Sequence, residues 1–287
     1  MEGDYLETWE GVIFAVKGFF HPPGLAVAFP KYYHHPEGSR FKAGKPYVKL
    51  TSMESFYQFL WNFHPEYLRE DPVFGEEMPE VPLERASTYY SPRRFLETLR
   101  ARSRVGCLDR VEEACLQLVE LLSEASGVPE RAFGVSGSTM LGMHREDSDL
   151  DLLVYGREEG LKVYEALGEL MAEGRASLKP YSGGMLRKLW LSRLEDTQLS
   201  FEAFSKLEAG RRLEGIFHGR EYFIRLLNPP SEAYGEVRFK PKGWIQVEAT
   251  IADSSQSIFT PCIYRLEDVK PLRGEAPGEI VEAYSLR

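Results

Sequence analysis

The chain has 287 residues, 43% of them apolar and 28% charged, and its formal net charge is −9. This length suffices for one or two buried cores, and no apolar run approaches the roughly 18 residues that a membrane-spanning helix requires. The acidic balance excludes a protein that binds nucleic acid through an overall positive charge, although it leaves room for a local basic patch.

The cysteines and the N-terminus indicate the compartment. Cys107, Cys115 and Cys262 are widely spaced, so they form neither a disulfide framework nor a paired CxxC zinc motif. The opening stretch MEGDYLETWEG is acidic where a secretory signal peptide is basic. We therefore expect a cytoplasmic protein without a membrane partner.

The N-terminal part is rich in strand-forming residues. β-branched and aromatic residues dominate positions 11–33, and a Pro-Pro-Gly turn at 22–24 predicts two strands joined by a turn. A helix is expected over residues 52–63, and the Pro- and Glu-rich residues 71–82 indicate an irregular linker. Residues 1–90 are therefore assigned to an N-terminal β-rich segment with a helix and a linker.

Helical and strand-like patterns alternate in the middle of the chain. Ser91 followed by Pro92 is a typical helix start. Apolar residues at three- and four-residue spacing over 108–122 predict another helix, which Gly127 ends.

A strand-turn-strand-helix order follows. Strands are expected at 133–135 and 149–155, with a Gly-Ser turn between them, and then a helix at 158–173. The apolar face predicted for that helix consists of Leu161, Tyr164, Leu167 and Met171.

Farther along, residues 185–194 and 199–215 look helical, and residues 220–227 look like a strand that Asn-Pro-Pro ends. From residue 237 onward the pattern is again strand-like. The predicted class is α+β, with a core at 91–235 and a C-terminal β-rich segment at 236–287.

Two aspartates alternate with leucines in the stretch DSDLDLLVY. Successive side chains of a strand point to opposite faces, so Asp149 and Asp151 share one face about 7 Å apart, and Leu150 and Leu152 share the other. At an effective dielectric near 20 the two carboxylates repel by roughly 2 kcal/mol, which a cation between them relieves. Oxygen ligands favour Mg²⁺ or Mn²⁺.

A Gly-Ser pair lies ten residues before this acidic pair. Gly137 permits close approach of the backbone to a ligand, and exposed N–H groups with the Ser138 hydroxyl suit phosphate oxygens. The two halves are complementary, because one suits anions and the other suits the metals that neutralise them.

Three other interpretations of the acidic stretch remain open. The first is an exposed acidic turn. The second is a calcium loop running from Asp147 to Glu158, although the glycine required at its sixth position is Leu152 here. The third is a zinc site on His144, which has no second His or Cys nearby in the sequence.

Five residues match a known signature in order and spacing: Val135, Gly137, Ser138, Asp149 and Asp151. In these residues the chain resembles the nucleotidyltransferase superfamily of DNA polymerase β type. The wider string GVSGSTMLGMHREDSDLDLLVYG is most similar to archaeal proteins described as predicted nucleotidyltransferases. The resemblance implies a nucleotidyltransferase-type mixed sheet with helices in the core, flanked by the two β-rich segments.

The same resemblance implies a metal-dependent transfer of a nucleoside monophosphate from a nucleoside triphosphate to a hydroxyl acceptor. Gly137 and Ser138 would hold the triphosphate, and Asp149 and Asp151 would hold Mg²⁺ or Mn²⁺. The acceptor, whether a small molecule, a protein or an RNA, depends on pocket shape and is not specified by the motif. An RNA 3′-end nucleotidyltransferase and a non-catalytic nucleotide-binding module remain alternatives.

Members of this superfamily usually add a third carboxylate from a neighbouring strand. Glu221 is our first choice as catalytic and metal-binding residue, and Glu248 is the alternative; either glutamate is equally compatible with a solvated strand edge. If residues 220–227 form a strand, Glu221 shares a face with Phe223 and Arg225. Arg225 then neutralises phosphate or pairs with Glu221.

A cationic helix face is the remaining candidate for triphosphate binding. It consists of Arg187, Lys188 and Arg193. An ordinary solvated surface helix has the same pattern, so both interpretations stay open.

Overall fold

The computed structural model describes residues 1–174, 177–194, 198–275 and 278–286 and shows a mixed α+β protein. The chain forms two compact units, one of residues 1–91 together with 226–287, and one of residues 92–225. The two β-rich segments assigned from the sequence, 1–90 and 236–287, thus fall in the same unit. Residues 226–235, which the sequence assigns to the core segment, also fall in that unit.

Strands dominate the first part of the chain: β1 (Tyr5–Thr8), β2 (Val12–Val16), β3 (Leu25–His34), β4 (Arg40–Lys42), β5 (Lys45–Lys49), β6 (Leu68–Asp71), β7 (Glu76–Pro82) and β8 (Ala86–Tyr90), with helix α1 (Met53–Phe63) after β5. Their hydrogen-bonded order is β4-β5-β3-β2-β1-β8, and β7 pairs with β3 and β6. The predicted strand pair over 11–33 and the helix after Ser52, whose hydroxyl accepts the N–H of Ser55, are confirmed.

The linker predicted over residues 71–82 is wrong. These residues include most of the β6–β7 hairpin, and Val81 of β7 is fully buried opposite Ala26 of β3. Prolines and glutamates are poor strand formers by local preference, but strand formation depends on neighbouring strands, which no local window contains.

Side-chain contacts join the two edges of this sheet. Lys42 on edge strand β4 forms an ion pair with Glu7 of β1 and a hydrogen bond to Tyr90 of β8. Its ammonium also lies 5.0 Å from the centre of the Tyr90 ring. The sheet therefore curls back on itself, which leaves less open edge for pairing with other chains. Its core packs Phe59 and Leu60 of α1 against the sheet.

The second unit contains the helices α2 (Pro92–Ser103), α3 (Arg110–Ser126), α4 (Gly137–Met140), α5 (Arg157–Ala172), α6 (Gly183–Ser192) and α7 (Phe201–Glu208) and the strands β9 (Phe133–Val135), β10 (Leu150–Tyr155), β11 (Glu214–Phe217) and β12 (Arg220–Leu227), of which β12 ends inside the first unit. The strand order is β11-β12-β10-β9. As predicted, helix α3 ends at Gly127, where φ is +67°.

Two helix predictions in this unit need correction. The helix expected over 199–215 ends at Glu208, because Glu214–Phe217 pairs with β12 as a strand. On α5 the buried residues are Gly160, Val163, Ala166, Leu167 and Leu170, whereas three of the four residues predicted for the apolar face are half-buried. Gly160 and Ala166 are among the buried residues, so the buried face of α5 does not consist of its largest side chains.

The chain then returns to the first unit and forms β13 (Gln246–Gln256), β14 (Phe259–Thr260), β15 (Cys262–Arg273) and β16 (Glu282–Ser285). Strand β15 pairs with β13 and β16, and β14 runs parallel to Leu226 and Leu227. The predicted β-rich character of the C-terminal part is confirmed. Among the described residues, no helix combines the length and the apolar character needed to cross a membrane.

A buried carboxyl pair lies in the first unit. Asp71 accepts hydrogen bonds from the backbone N–H groups of Val73 at 2.6 Å and Phe74 at 2.9 Å and from the Tyr234 hydroxyl at 2.9 Å. Burial, with the hydrogen bond and the charge of Asp71, raises the pKa of Glu80 to about 7. Glu80 therefore holds its proton in the folded protein at a pH where an exposed glutamate has lost it.

The raised pKa of Glu80 predicts a pH-dependent stability. The stabilisation that protonated Glu80 contributes to the folded state is complete below its unfolded-state pKa near 4.5. This stabilisation is lost as the pH rises through about 7. Glu80→Gln keeps a hydrogen-bond donor beside Asp71 at every pH, so the variant should exceed the parent in free energy of unfolding by about 1–3 kcal/mol at pH 8 and match it near pH 4.5. Urea unfolding at both pH values measures this; exposed Glu84→Gln is the control, and a gap independent of pH would contradict the prediction.

Candidate active site

The acidic pair lies where the alternation predicts. Leu150 and Leu152 are buried at 0% and 1% exposure, while Asp149 is exposed and Asp151 is half-buried. Asp151 therefore lies on the face of β10 opposite the leucines, and Asp149 is the residue just before the strand. Residues 152–155 belong to this buried strand, a geometry that rules out the calcium-loop interpretation.

The Gly-Ser turn packs directly against Asp151. The backbone N–H of Ser136 donates to the Asp151 carbonyl at 2.9 Å. A Cβ placed on Gly137 would lie 1.8 Å from Oδ2, 2.7 Å from Cγ and 3.0 Å from Cβ of Asp151, and φ at Gly137 is +64°. Glycine is thus required both by the backbone conformation and by the space that Asp151 fills.

Ser138 follows at the same turn. Its side chain is close to buried, with 9% exposure, and its carbonyl accepts the N–H of Met143 at 2.9 Å. The turn is therefore fixed by two backbone hydrogen bonds: Ser136 donates to Asp151 of β10, and Met143 donates to Ser138.

A buried thiol lies close to the acidic pair. Cys115 on α3 is fully buried, and burial followed by the negative charge of Asp151 raises the pKa of its thiol. The thiol remains protonated and packs as a small apolar group. The sequence identifies Cys115 only as part of an apolar helix face, and nothing in the motif indicates its position near Asp151.

Glu221 lies on the strand next to β10. Tyr222, Ile224 and Leu226 are buried, so Glu221 shares the opposite face of β12 with Phe223 and Arg225, as predicted. The hydroxyl of Tyr181 donates a hydrogen bond to Oε2 of Glu221 at 3.1 Å.

Tyr181 is the hydrogen-bond partner of Glu221. Burial raises the pKa of the Tyr181 phenol, and the negative charges of Glu221 and Asp149 raise it further. The phenol therefore remains protonated and available as a hydrogen-bond donor to Glu221. Sequence reasoning missed this residue, because Tyr181 lies in the loop before α6 and belongs to no recognisable motif.

The metal-binding capacity of the site rests on two aspartates. Within residues 1–174, 177–194, 198–275 and 278–286, no three His, Cys, Asp or Glu side chains converge as metal ligands. The structure thus places Asp149 just before β10 and Asp151 on that strand, while Tyr181 donates a hydrogen bond to Glu221. Two carboxylates still suit Mg²⁺, which proteins commonly bind through one or two carboxylates together with substrate phosphates and water.

His144 has a structural contact. Its Nε2 lies 2.7 Å from Oδ2 of Asp109, the residue that caps α3 by accepting the N–H groups of Val111 and Glu112. Burial opposes ionisation of Asp109, but the hydrogen bond from Glu112 and the contact with His144 outweigh it and lower its pKa. His144 thus fixes the loop before β10 to the start of α3, and the zinc interpretation gains no second ligand.

The predicted cations are placed in different surroundings. Arg193 donates a hydrogen bond to Glu214 at 2.9 Å and so has a structural partner. The guanidinium of Arg187 lies 5.8 Å from the centre of the Phe201 ring. Lys188 is exposed on α6. The guanidinium of Arg225 lies 5.4 Å from the ring of Phe223, on the face of Glu221.

Glu248, the alternative third carboxylate, lies in the other unit. It is exposed on β13, directly opposite Lys270 of β15. Of the two candidate glutamates, Glu221 is therefore the one on a strand adjacent to the acidic pair.

A comparison of two glycines tests the contact with Asp151. Gly137 and Gly142 have similar φ values, +64° and +66°, but nothing lies within 4 Å of a Cβ on Gly142. Gly142→Ala should cost about 1–2 kcal/mol of unfolding free energy from backbone strain alone. Gly137→Ala should cost about 1–3 kcal/mol more, because rotating the carboxylate does not clear Cβ of Asp151. Chemical denaturation measures both; equal losses would mean that Asp151 does not require the glycine.

Comparison with known proteins finds a relative that spans both units. An uncharacterized protein of Methanocaldococcus jannaschii is 29% identical over 276 residues, which cover 92% of this chain and 79% of the relative. No protein-family model matches the chain, and no solved structure matches it. The relative is described without a function, so the chemistry has to be inferred from the residues of this chain.

Proposed function

We propose that the unit of residues 92–225 is a nucleotidyltransferase of the DNA polymerase β type, transferring a nucleoside monophosphate from a nucleoside triphosphate to a hydroxyl acceptor. The observation that carries the proposal is the contact between Gly137 and Asp151, in which the carboxylate fills the space of a glycine side chain. A phosphate-binding turn and a carboxylate strand are thereby held in one fixed arrangement. An ordinary acidic turn requires no such fit.

Asp149 and Asp151 supply the negative face on which Mg²⁺ or Mn²⁺ would bind together with the triphosphate. The metal, when bound, would neutralise phosphate charge and lower the pKa of the attacking hydroxyl. Asp149 is exposed and Asp151 half-buried, so one carboxylate is open to an incoming nucleotide and the other is fixed by the protein. This asymmetry suits a site that the substrate completes.

The reaction requires the acceptor oxygen to form a bond to the α-phosphorus while the bond from that phosphorus to the bridging oxygen of the β-phosphate breaks. Pyrophosphate leaves, and the hydroxyl proton passes to a carboxylate. We assign that role to Glu221, since Tyr181 donates to one of its carboxylate oxygens and leaves the other to accept a proton. The Gly137–Ser138 turn would orient the triphosphate, and Arg187, Lys188 and Arg225 are the cations proposed to contact it.

Asp149→Asn and Asp151→Asn should each reduce pyrophosphate release from labelled nucleoside triphosphates with Mg²⁺ by at least about 100-fold, since each removes a charge worth several kcal/mol in the transition state. Asp147→Asn is the matched control, because Asp147 is exposed in the same stretch but lies two residues farther from β10 than Asp149. Acceptor panels should include small alcohols, proteins and RNA ends. Turnover equal to that of the parent in both variants would refute the mechanism, and nucleotide-dependent thermal stabilisation without turnover would favour a binding module.

The third carboxylate is tested by two substitutions of the same kind. Glu221→Gln retains an acceptor for the Tyr181 hydroxyl but cannot take a proton, so the rate constant should fall by about 100-fold or more. Glu248→Gln, in the other unit, should leave turnover within about twofold of the parent. The reverse result would transfer the assignment to Glu248. Retained thermal stability of both variants, measured in parallel, separates a chemical effect from unfolding.

A further inference from the structure

A long hairpin projects from the first unit. We call β13 and β15 the hairpin arm. Their paired length runs from Gln256 and Ile263 at the near end to Gln246 and Arg273 at the far end, and no residue of either strand is buried. The near end is anchored by buried Phe259 and Thr260. Strand β16 pairs with β15 only over Cys262–Arg265, so the arm beyond this stretch is a two-stranded ribbon. Such a ribbon buries little of its own surface, which is typical of an element that contacts a partner.

The chain reaches the far end through an anchored segment. The N–H of Phe239 donates to the carbonyl of Val73 at 2.7 Å, and its ring stacks on Phe74 with 5.4 Å between centres. At the other end, a Cβ on Gly274 would lie 3.0 Å from the carbonyl oxygen of Trp244. The segment is thus anchored at Phe239 and lies close to Gly274 at Trp244.

The side chains at the far end combine one exposed indole with cations. Trp244 has 101% exposure, so the whole ring is available to a ligand. We define the basic tip as Lys240, Lys242, Trp244, Lys270 and Arg273. Among the described residues, no carboxylate lies within ion-pair distance of these four cations, although Glu248 is opposite Lys270 in the register.

Charge and aromatic chemistry together specify the ligand. The tip carries four positive charges, with Glu248 opposite Lys270, on a chain whose net charge is −9. An anionic ligand is therefore attracted to this place and repelled by much of the remaining surface. A fully exposed indole is a stacking surface for an unpaired base, and lysine and arginine neutralise the adjoining phosphates. A second copy of the same tip would instead bring like charges together.

We propose that the basic tip binds single-stranded nucleic acid, with Trp244 stacking on a base and Lys240, Lys242, Lys270 and Arg273 contacting phosphates. This assignment is independent of the transfer reaction proposed above, because it uses residues of the other unit and requires neither nucleotide nor metal. Duplex is disfavoured, since its bases are already stacked on one another.

Fluorescence anisotropy with labelled 12-nucleotide oligouridine and oligothymidine tests this in the full chain, without nucleotide and with chelator. Both single strands should bind at low salt, with a salt dependence set by about 0.7 counterions released per phosphate contact. Trp244→Ala should weaken binding by about 5- to 100-fold, whereas Trp244→Phe should retain most of the affinity. Trp9→Ala is the matched control, because Trp9 is also exposed in the first unit but lies between Glu7 and Glu10.

The lysines are tested by the salt dependence. The double substitution Lys240→Gln and Lys242→Gln should reduce the slope of log affinity against log salt by about 1.4, and Lys206→Gln, on α7, should leave it unchanged. No single-strand binding at low salt, equal losses in Trp244→Ala and Trp9→Ala, or duplex binding as tight as single-strand binding would each overturn the proposal. Self-association that Trp244→Ala abolishes, without oligonucleotide binding, would overturn it in favour of a second copy.

Discussion

The candidate site depends on the close approach of Gly137 to Asp151. Because the carboxylate occupies the position that any other side chain would need, the turn after β9 and the strand β10 cannot be moved apart or substituted independently. The hydrogen bond from Ser136 to the Asp151 carbonyl fixes the position of the turn along β10. The negative charge of Asp151 also raises the pKa of the buried Cys115 thiol. The turn proposed to bind phosphate and the carboxylate proposed to bind metal are consequently held in contact with each other.

Short-range patterns were sufficient where the structure depends on the immediate neighbours in the chain. The strand at 220–227 and the helix ending at Gly127 follow from alternation, helical spacing and a left-handed C-terminal glycine, all of which act within a few residues. Strand β7 escaped prediction, because its partner Leu25–Val27 lies far away in sequence. The buried face of α5 was also predicted incorrectly, because it includes Gly160 and Ala166, whose small side chains give no apolar periodicity.

The candidate site, like the fold, was predictable only where its residues are close in sequence. Residues of the motif are close in sequence, and their complementary chemistry, with the resemblance to the nucleotidyltransferase superfamily, assigned Gly137 and Asp151 to one site. The contact of Tyr181 with Glu221 joins residues 40 positions apart, and neither residue has a local feature that indicates the other. Only the sheet order, with β12 beside β10, brings this pair into the electrostatic neighbourhood of Asp149.

The proposed chemistry depends on Asp149 and Asp151, with Glu221 held by the hydrogen bond from Tyr181. A site with three converging acids binds a divalent ion by itself, whereas a pair of aspartates needs phosphate oxygens to complete the coordination. Since Tyr181 holds Glu221 and remains protonated, the third carboxylate is kept hydrogen-bonded until a substrate alters the local charge. Under the proposed mechanism, metal and triphosphate therefore bind as a unit, and the open side of Asp149 is the side at which they enter.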